Sequence, residues 1–341
     1  YRWPLAVFFR AMQAEYEATG DGRIIDALEK HYIHTIESGE HIGVLPEGMK
    51  WRWRNIMGIE GMLWTYSMTG NRALLDYAVA EWEAGSAFEL NMDEIMSDRS
   101  PYMHGVTYCE EMKLPMLLYA YTGEQKYLDA AVRADEKLLR HHLLPDGVPS
   151  SNEHLDGNDP LTSHETCDIT DYTWSLGYYL MTTGDAVYAD AIEKAVFNAG
   201  PGAVTKDFKA LQYFSSVNQF IATGDSDHNE FKKGSTWMAY RPTHETECCA
   251  GNAYDIAVIM HLAGRIPVIE DKRNRVVSCV NIHTMSKTFR NHLINQRIRI
   301  KLVSLILRIL YRTELVSIMA LDISLSITDN KSNLSHRGSS G

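Results

Sequence analysis

A short pattern of threonine, glycine and a third polar residue recurs four times along the chain. It stands at Thr19-Gly20-Asp21, Thr69-Gly70-Asn71, Thr122-Gly123-Glu124 and Thr183-Gly184-Asp185. Each copy follows an aromatic-rich segment of helix length and precedes a segment whose apolar residues have helical spacing, as from Leu128 to Leu138. The glycine is expected to end one helix in a left-handed C-cap, and the polar residue after it favours the start of the next helix. The pattern therefore predicts a series of helical hairpins.

The distance between these repeats indicates how the hairpins are arranged. Successive glycines are 50, 53 and 61 residues apart, which is long enough for two helices and their loops in each unit. Helical hairpins must stack in order to bury their apolar faces, either as an open solenoid or as a closed ring. The many aromatic residues and the polar loops between hairpins favour closure. We therefore predict an all-α fold, an (α/α)6-type toroid, over an open solenoid that only binds other proteins.

Composition narrows the class of protein. The charged fraction of 23% and hydrophobic fraction of 45% are typical of a globular chain, and no run of about 18 apolar residues predicts a membrane span. The net charge of -11 argues against a nucleic-acid partner. Five cysteines are too few for a disulfide scaffold. Because the first residue is Tyr1 and no signal-peptide pattern follows, we interpret the sequence as a fragment or a processed chain.

The charge is divided unevenly near Arg265. From that residue onward 13 Lys+Arg face 5 Asp+Glu, and the tail has no tryptophan and no glycine between Gly264 and Gly338. We therefore predict a domain over 1–265 and an atypical basic tail over 266–341. The tail could be an amphipathic segment that touches an anionic surface, an atypical domain, or a truncated or frame-shifted end. We favour the last interpretation and assign no function to it.

Three of the five cysteines lie close to acidic residues. Cys248 and Cys249 are adjacent in Thr-His-Glu-Thr-Glu-Cys-Cys-Ala-Gly-Asn, and Cys167 follows Glu165 in Ser-His-Glu-Thr-Cys. Three thiolates and one carboxylate form a tetrahedral zinc set, whereas a disulfide between neighbours would be strained. The carboxylate could come from Glu165 or from the second acidic motif, Glu245 and Glu247. By itself the pattern suits a structural zinc site as well as a catalytic one.

A polar, turn-rich loop from Gly147 to Pro160 precedes the first cysteine motif. It contains Glu153, Asp156 and Asp159, and its composition predicts a surface position near the zinc site. A carboxylic acid there is placed to protonate a leaving group, which the cleavage of a glycoside requires. The alternative is that all three acids are ordinary turn residues.

Taken together, these motifs resemble glycoside hydrolase family 127, the β-L-arabinofuranosidase-like family. The resemblance runs from about Tyr1 to Arg265. It rests on the following motifs in order: His104-Gly105-Val106, Asn152-Glu153-His154-Leu155, Glu165-Thr166-Cys167, Glu193 before Ala195-Val196-Phe197-Asn198, and Cys248-Cys249 with Asn252. It implies a barrel of paired helices, with β-sandwich domains after it in the chain. We expect this barrel to be incomplete, because the family's first helices would precede Tyr1.

The resemblance also implies a site and a reaction. Zinc would be bound by Glu165, Cys167, Cys248 and Cys249, with Cys248 as the nucleophile and Glu153 as the general acid/base. The implied substrate is a carbohydrate, an arabinofuranoside or a related plant-type sugar, cleaved with retention of configuration in two displacements.

Two further residues gain a role from the resemblance. His104 and Glu193 would contact sugar hydroxyls, although the sequence alone suits a packed or capping histidine and a solvated helix face.

Other residues near these motifs have less definite interpretations. His154, His164 and His244 are candidates for support around the metal ligands. The tryptophans would normally belong to the core, but one or two of them could line the barrel mouth: Trp51, Trp53, Trp64, Trp174 and Trp237. Cys109 is interpreted as an ordinary buried thiol, and Cys279 as a tail residue.

Two other functions stay open at this point. One is a non-catalytic helical-repeat protein in which zinc only ties loops together, and it differs from the glycosidase in needing no Glu153. The other is a different enzyme of toroidal architecture, such as a sugar epimerase or a polysaccharide-degrading hydrolase, with incidental thiols.

Overall fold

A computed structural model describes residues 3–39, 55–85, 90–159, 161–219, 221–226, 238–242 and 249, with two short strands beyond them. The helices of the described residues are Trp3–Thr19 (α1), Gly22–Glu37 (α2), Gly58–Thr69 (α3), Arg72–Ala84 (α4), Met92–Met96 (α5), Gly105–Glu111 (α6), Lys113–Thr122 (α7), Gln125–His141 (α8), Thr166–Thr183 (α9) and Ala186–Ala203 (α10). The strands are Ser151–Asn152 (β1), His154–Leu155 (β2), His164–Glu165 (β3), Ala210–Leu211 (β4), Phe214–Ser215 (β5), Arg241–Pro242 (β6), Ile269–Glu270 (β7) and Val276–Val277 (β8).

The predicted helix boundaries at the repeated Thr-Gly pattern are confirmed. Gly70, Gly123 and Gly184 each adopt a left-handed conformation, with φ of 74°, 74° and 68°, and each amide donates to a carbonyl in the last turn of the helix it ends. A side chain with φ in this range would be strained, which explains the glycine. Each helix that follows begins two residues after the glycine and forms a hairpin with the helix before it.

The residue after each glycine caps the second helix in three of the four repeats. The side chains of Asp21, Asn71 and Asp185 accept hydrogen bonds from backbone amides in the first turns of α2, α4 and α10. Glu124 occupies the same position before α8 but makes no capping hydrogen bond with its side chain. The longer glutamate side chain is a poorer cap than aspartate or asparagine, as the preferences at helix N-termini predict.

The hairpins pack against one another through their first helices. Within the described residues α3 pairs with α4, α7 with α8, and α9 with α10, while α7 also contacts both α3 and α9. The apolar spacing of α8 buries Ala131, Ala134 and Leu138 completely. The structure is therefore the predicted all-α assembly of helical hairpins.

A buried ion network joins four helices from different hairpins. Glu60 of α3 accepts a hydrogen bond from Tyr178 of α9 at 2.7 Å, and its other oxygen lies 3.4 Å from both Lys113 of α7 and Arg10 of α1. Burial opposes ionisation of Glu60, but Lys113 and Arg10 outweigh it and lower the pKa of Glu60 to about 2. Directly contacting residues that are up to 118 positions apart are thus fixed in one cluster.

The short strands lie in the connections after the helices. β1 and β2 form a tight antiparallel hairpin between α8 and α9, and β3 pairs with β5 so that Glu165 lies opposite Phe214. β4 pairs with β6, and β7 pairs with β8 in the region predicted to be an atypical tail. Within the described part of the chain, no helix has the length and apolar character to cross a bilayer. The division at residue 265 stays a prediction.

Candidate active site

Three predicted metal ligands meet in the interior of the protein. Glu165 ends β3, Cys167 lies in the first turn of α9, and Cys249 comes from a segment 82 positions further along. The sulfur atoms of Cys167 and Cys249 are 3.3 Å apart, and the sulfur of Cys249 lies 3.7 Å from a carboxylate oxygen of Glu165. One ligand atom from each residue lies within 4.8 Å of the other two. The group could therefore hold one metal ion.

The surroundings of the two thiols are apolar. Val106, Val204 and Leu211 pack around Cys167 and Cys249 in one buried cluster. The sulfurs are too far apart for a disulfide bond, which requires about 2.05 Å, whereas two sulfurs on one tetrahedral zinc ion lie about 3.8 Å apart. Thiolates and a carboxylate in such a cluster would carry unscreened negative charge, which a divalent cation would neutralise. These donors fit zinc by softness and burial.

Packing around Glu165 fixes the start of α9. Asp168 accepts a hydrogen bond from the Glu165 amide at 2.9 Å, which closes the first turn of the helix. Burial raises the pKa of Asp168 well above its usual range. His164, one residue before Glu165, lies 2.7 Å from Asp146, and this contact raises its pKa despite complete burial. Loop, strand and helix are therefore tied together at the metal-ligand segment.

Glu153 lies at the tip of the β1–β2 hairpin, and its carboxylate is near Glu165, one of the three predicted metal ligands. Its backbone is in the left-handed region, with φ of 69°, and 29% of its side chain is exposed. One carboxylate oxygen is 3.3 Å from Nε2 of His104, and the other accepts a hydrogen bond from the hydroxyl of Tyr213 at 3.3 Å. The carboxylate is thus oriented by two side chains and is open to solvent on one side.

His104 lies close to both Glu153 and Glu165, and Glu165 also belongs to the group of three predicted metal ligands with Cys167 and Cys249. Single donor atoms of His104, Glu153 and Glu165 all lie within 4.8 Å of one another. The other ring nitrogen of His104 caps α6, because Nδ1 lies 3.2 Å from the amide of Thr107. The capping role considered for His104 is therefore real, and its remaining nitrogen still points to Glu153. His154 packs edge-on against the His104 ring and stacks on Tyr102.

Gly105 permits the close approach between the Glu153 hairpin and the helices. Its amide donates to the Glu153 carbonyl at 2.8 Å. A β-carbon on Gly105 would lie 2.4 Å from both side-chain atoms of Ser151 and 3.3 Å from Asp168, so no side chain fits there. The position of the Glu153 backbone therefore depends on a glycine at position 105.

Other predicted residues have different surroundings. Glu193 is exposed on α10, and its sugar-binding role stays a prediction. Trp64 belongs to the core beside Phe9, whereas Trp174 is partly exposed under the guanidinium of Arg10. Cys109 is buried in α6, which agrees with an ordinary core thiol.

Several candidates lie outside the described residues. They are Cys248, His244, Glu245, Glu247, Trp51, Trp53, Trp237 and Cys279. The choice of Glu165 over the two acidic residues beside Cys248 therefore rests on the group that Glu165 forms with Cys167 and Cys249.

Sequence reasoning missed three residues that contact the site or the loops around it: Tyr213 beside Glu153, Asp146 beside His164, and His142, whose ring accepts a hydrogen bond from the Gly157 amide. Each is a single polar residue in a loop, and its partner is 15 to 60 positions away. No local spacing marks such pairs. Only the contact of Asp146 with His164 had a partial signal, since His164 stands beside a predicted ligand.

The fold and the site together define an all-α domain of helical hairpins with a thiol–carboxylate centre and a second carboxylate beside it. The sequence profile of the β-L-arabinofuranosidase GH127 catalytic domain matches residues 3–260, which is most of the chain. The chain belongs to this family. None of the curated proteins compared with it matches in sequence.

Solved structures with a similar fold agree with this assignment. One is a GH127 β-arabinofuranosidase, with 18% identity and a TM-score of 0.54 over 73% of this chain and 39% of that protein. Another, described as a glycoside hydrolase, has 17% identity and a TM-score of 0.53 over 75% of this chain and 46% of that protein. The likeness confirms the predicted toroid of helical hairpins. The chain spans less than half the length of either protein.

Proposed function

We propose that this chain forms the catalytic domain of a retaining glycoside hydrolase that cleaves β-L-arabinofuranosides or related plant-type glycosides. The family membership supports the reaction class. The observation that carries the proposal is the position of Glu153. Its carboxylate lies in a group with His104 and Glu165, next to the buried thiols. A purely structural metal site has no need of a second, partly exposed carboxylate at that distance.

The proposed metal ligands are Glu165, Cys167, Cys248 and Cys249, and the proposed ion is zinc. The fit of Glu165, Cys167 and Cys249 to a soft divalent ion supports this set, and Cys248 is adjacent in sequence to one of them. Bound zinc would keep the coordinating thiols deprotonated at neutral pH, where a free thiol is mostly protonated.

In the proposed reaction Cys248 attacks the anomeric carbon while Glu153 donates a proton to the leaving oxygen. The bond from sulfur to carbon forms as the glycosidic bond breaks, which leaves a thioglycosyl enzyme. Glu153, now ionised, then takes a proton from water, and the water oxygen displaces the sulfur. Two displacements retain the configuration of the sugar. Tyr213 and His104 hold the Glu153 carboxylate in a fixed orientation through both steps.

His104 and Glu193 are proposed to contact sugar hydroxyls. His104 is 12% exposed at its side chain and lies beside Glu153, which suits a ligand contact at the edge of the site. The proposal for Glu193 rests on the family motif, because Glu193 is exposed on α10.

A direct test combines metal content with hydrolysis of an aryl β-L-arabinofuranoside. The variants are Cys248→Ser, Cys167→Ala and Glu153→Gln. Cys109→Ser serves as the control for a buried thiol outside the group, and Asp156→Asn as the control for a carboxylate in the same loop as Glu153. We expect about one zinc per parent chain, loss of zinc in Cys167→Ala, and loss of turnover with retained zinc in Glu153→Gln.

The same measurements separate the competing functions. Zinc with no turnover on a wide panel of aryl glycosides would favour the non-catalytic helical-repeat protein with a structural metal site. Unchanged turnover in Glu153→Gln would exclude Glu153 as the acid/base. A folded parent chain without zinc would contradict the central claim, and both control variants should behave as the parent.

A further inference from the structure

His142 bridges two segments that lead to the proposed acid/base. It follows α8 directly, and only 3% of the residue is exposed. Its Nδ1 accepts a hydrogen bond from the amide of Gly157 at 2.9 Å, and its Nε2 lies 3.1 Å from the carbonyl oxygen of Pro101. The backbone carbonyl of His142 accepts from the amide of Ser150 at 2.7 Å. One residue therefore contacts both ends of the hairpin loop and the segment before α6.

These contacts define the protonation state of the ring. Because Nδ1 accepts from an amide, its lone pair is in use, and the single proton of a neutral imidazole must be on Nε2. That proton is directed to the Pro101 carbonyl, with the hydroxyl of Ser100 3.2 Å away. Burial agrees with a neutral ring, since it lowers the pKa of His142 to about 4.

The two bridged segments carry the two sides of the Glu153–His104 pair. Gly157 follows the β1–β2 hairpin, which carries Glu153, and Pro101 lies three residues before His104. Between these points the segments are also joined by two backbone bonds, from the Leu155 amide to the Met103 carbonyl and from the Gly105 amide to the Glu153 carbonyl, and by the His154 ring, which packs on Tyr102 and His104. The His142 ring is a separate, side-chain brace across the same two segments.

We propose that His142 is a positioning residue, whose ring sets the separation and alignment of Glu153 and His104 and so controls proton transfer to the leaving group. This inference rests on the proposed function, in which Glu153 is the general acid/base. His142 does not contact the sugar. It acts through the two segments that it joins.

The test compares two substrates in His142→Ala. An alkyl β-L-arabinofuranoside needs its leaving oxygen to be protonated, whereas a 2,4-dinitrophenyl glycoside leaves without that help. A misplacement of about 1 Å costs roughly 100-fold in rate. We expect kcat to fall by about that factor for the alkyl substrate and only slightly for the dinitrophenyl substrate, with KM nearly unchanged in both cases. His141→Ala, one residue earlier, is the control and should match the parent.

Two conservative variants divide the brace into its parts. His142→Asn places its amide oxygen near the Nδ1 position and keeps the bond to Gly157, while His142→Gln places its amide nitrogen near Nε2 and keeps the bond to Pro101. Each should restore part of the alkyl rate. An equal loss of rate on both substrates in all variants would show a purely structural role and overturn the proposal.

Hydrogen exchange separates failure of this inference from failure of the proposed function. In His142→Ala with zinc bound, the Gly157 amide should exchange at least about tenfold faster than in the parent because it loses its acceptor, and the Gly105 amide should also exchange faster because the ring no longer holds together the segments that its bond to Glu153 joins. Unchanged exchange of these amides would overturn the proposal that His142 holds the two segments together, whatever the rates of hydrolysis. A parent chain that hydrolyses neither substrate would overturn the proposed function, and with it the role in proton transfer.

Discussion

Gly105→Ala is the sharpest single perturbation of the candidate site. The new β-carbon would lie 2.4 Å from both side-chain atoms of Ser151, whereas ordinary contact begins at 3.4 Å. The hairpin and α6 must therefore separate by about 1 Å. Overpacking of this kind costs about 1–3 kcal/mol in the free energy of unfolding, and a shift of about 1 Å in a catalytic group costs roughly 100-fold in rate. The Gly105 amide also bonds to the Glu153 carbonyl, so the shift reaches the proposed acid/base directly.

A double-mutant cycle identifies the cause. Ser151→Gly removes both clashing atoms and should restore stability and turnover in the Gly105→Ala background, while Ser151→Ala keeps the clashing β-carbon and should not. Gly22→Ala is the control, because a β-carbon there meets nothing within 4 Å. Stability is measured by urea unfolding and turnover with the aryl arabinofuranoside. Parent-like behaviour of Gly105→Ala, or equal rescue by both Ser151 variants, would refute the packing argument.

Three further predictions concern stability. Glu60→Leu should cost about 3–5 kcal/mol because it leaves Lys113 buried without its carboxylate, and Glu60→Leu with Lys113→Met should recover most of that loss in urea unfolding. The free energy of unfolding of the parent, relative to that of His142→Gln, should fall by about 3 kcal/mol as the pH drops from 6.5 to 4, because unfolded His142 binds a proton that the folded residue, with its pKa near 4, does not; a difference between the two proteins that does not change with pH would contradict this. Asp185→Ala should cost about 1 kcal/mol by thermal unfolding and Glu124→Ala much less, since only the former removes a capping hydrogen bond.

The helical hairpins could be predicted because each depends on local chemistry. Glycine, a short polar residue and apolar spacing determine where one helix ends and the next begins, so the four Thr-Gly sites mark the hairpins correctly. The start of α9 was less visible. The repeated pattern predicts the end of this helix at Thr183-Gly184 but gives no start for it, and the helix begins at Thr166, where Asp168 accepts a hydrogen bond from the Glu165 amide. Cys167 is therefore a helical residue, which the metal-ligand motif alone did not predict.

The sequence predicted which residues form the candidate site better than it predicted their contacts with one another. Glu165, Cys167 and Cys249 do meet, because the thiols and acids formed an unusual local pattern in a chain with few cysteines. The contacts of Glu153 with Tyr213 and His104 join segments 60 and 49 positions apart. Such pairs depend on how the hairpins close around the site, and neither residue has a sequence signal that names its partner.

The left-handed backbone of Glu153 has a consequence for how this residue can be studied. Glycine or asparagine would adopt a φ of 69° more easily than glutamate, which accepts a conformational cost of about 1 kcal/mol. The chain thus gives up some thermal stability in order to place a carboxylate at the hairpin tip. Glu153→Gly should melt at a higher temperature than the parent while losing turnover, whereas Glu153→Gln keeps the backbone penalty and isolates the loss of the acid. Thermostability screens of this domain should therefore favour glycine at this position and so select against the proposed acid/base.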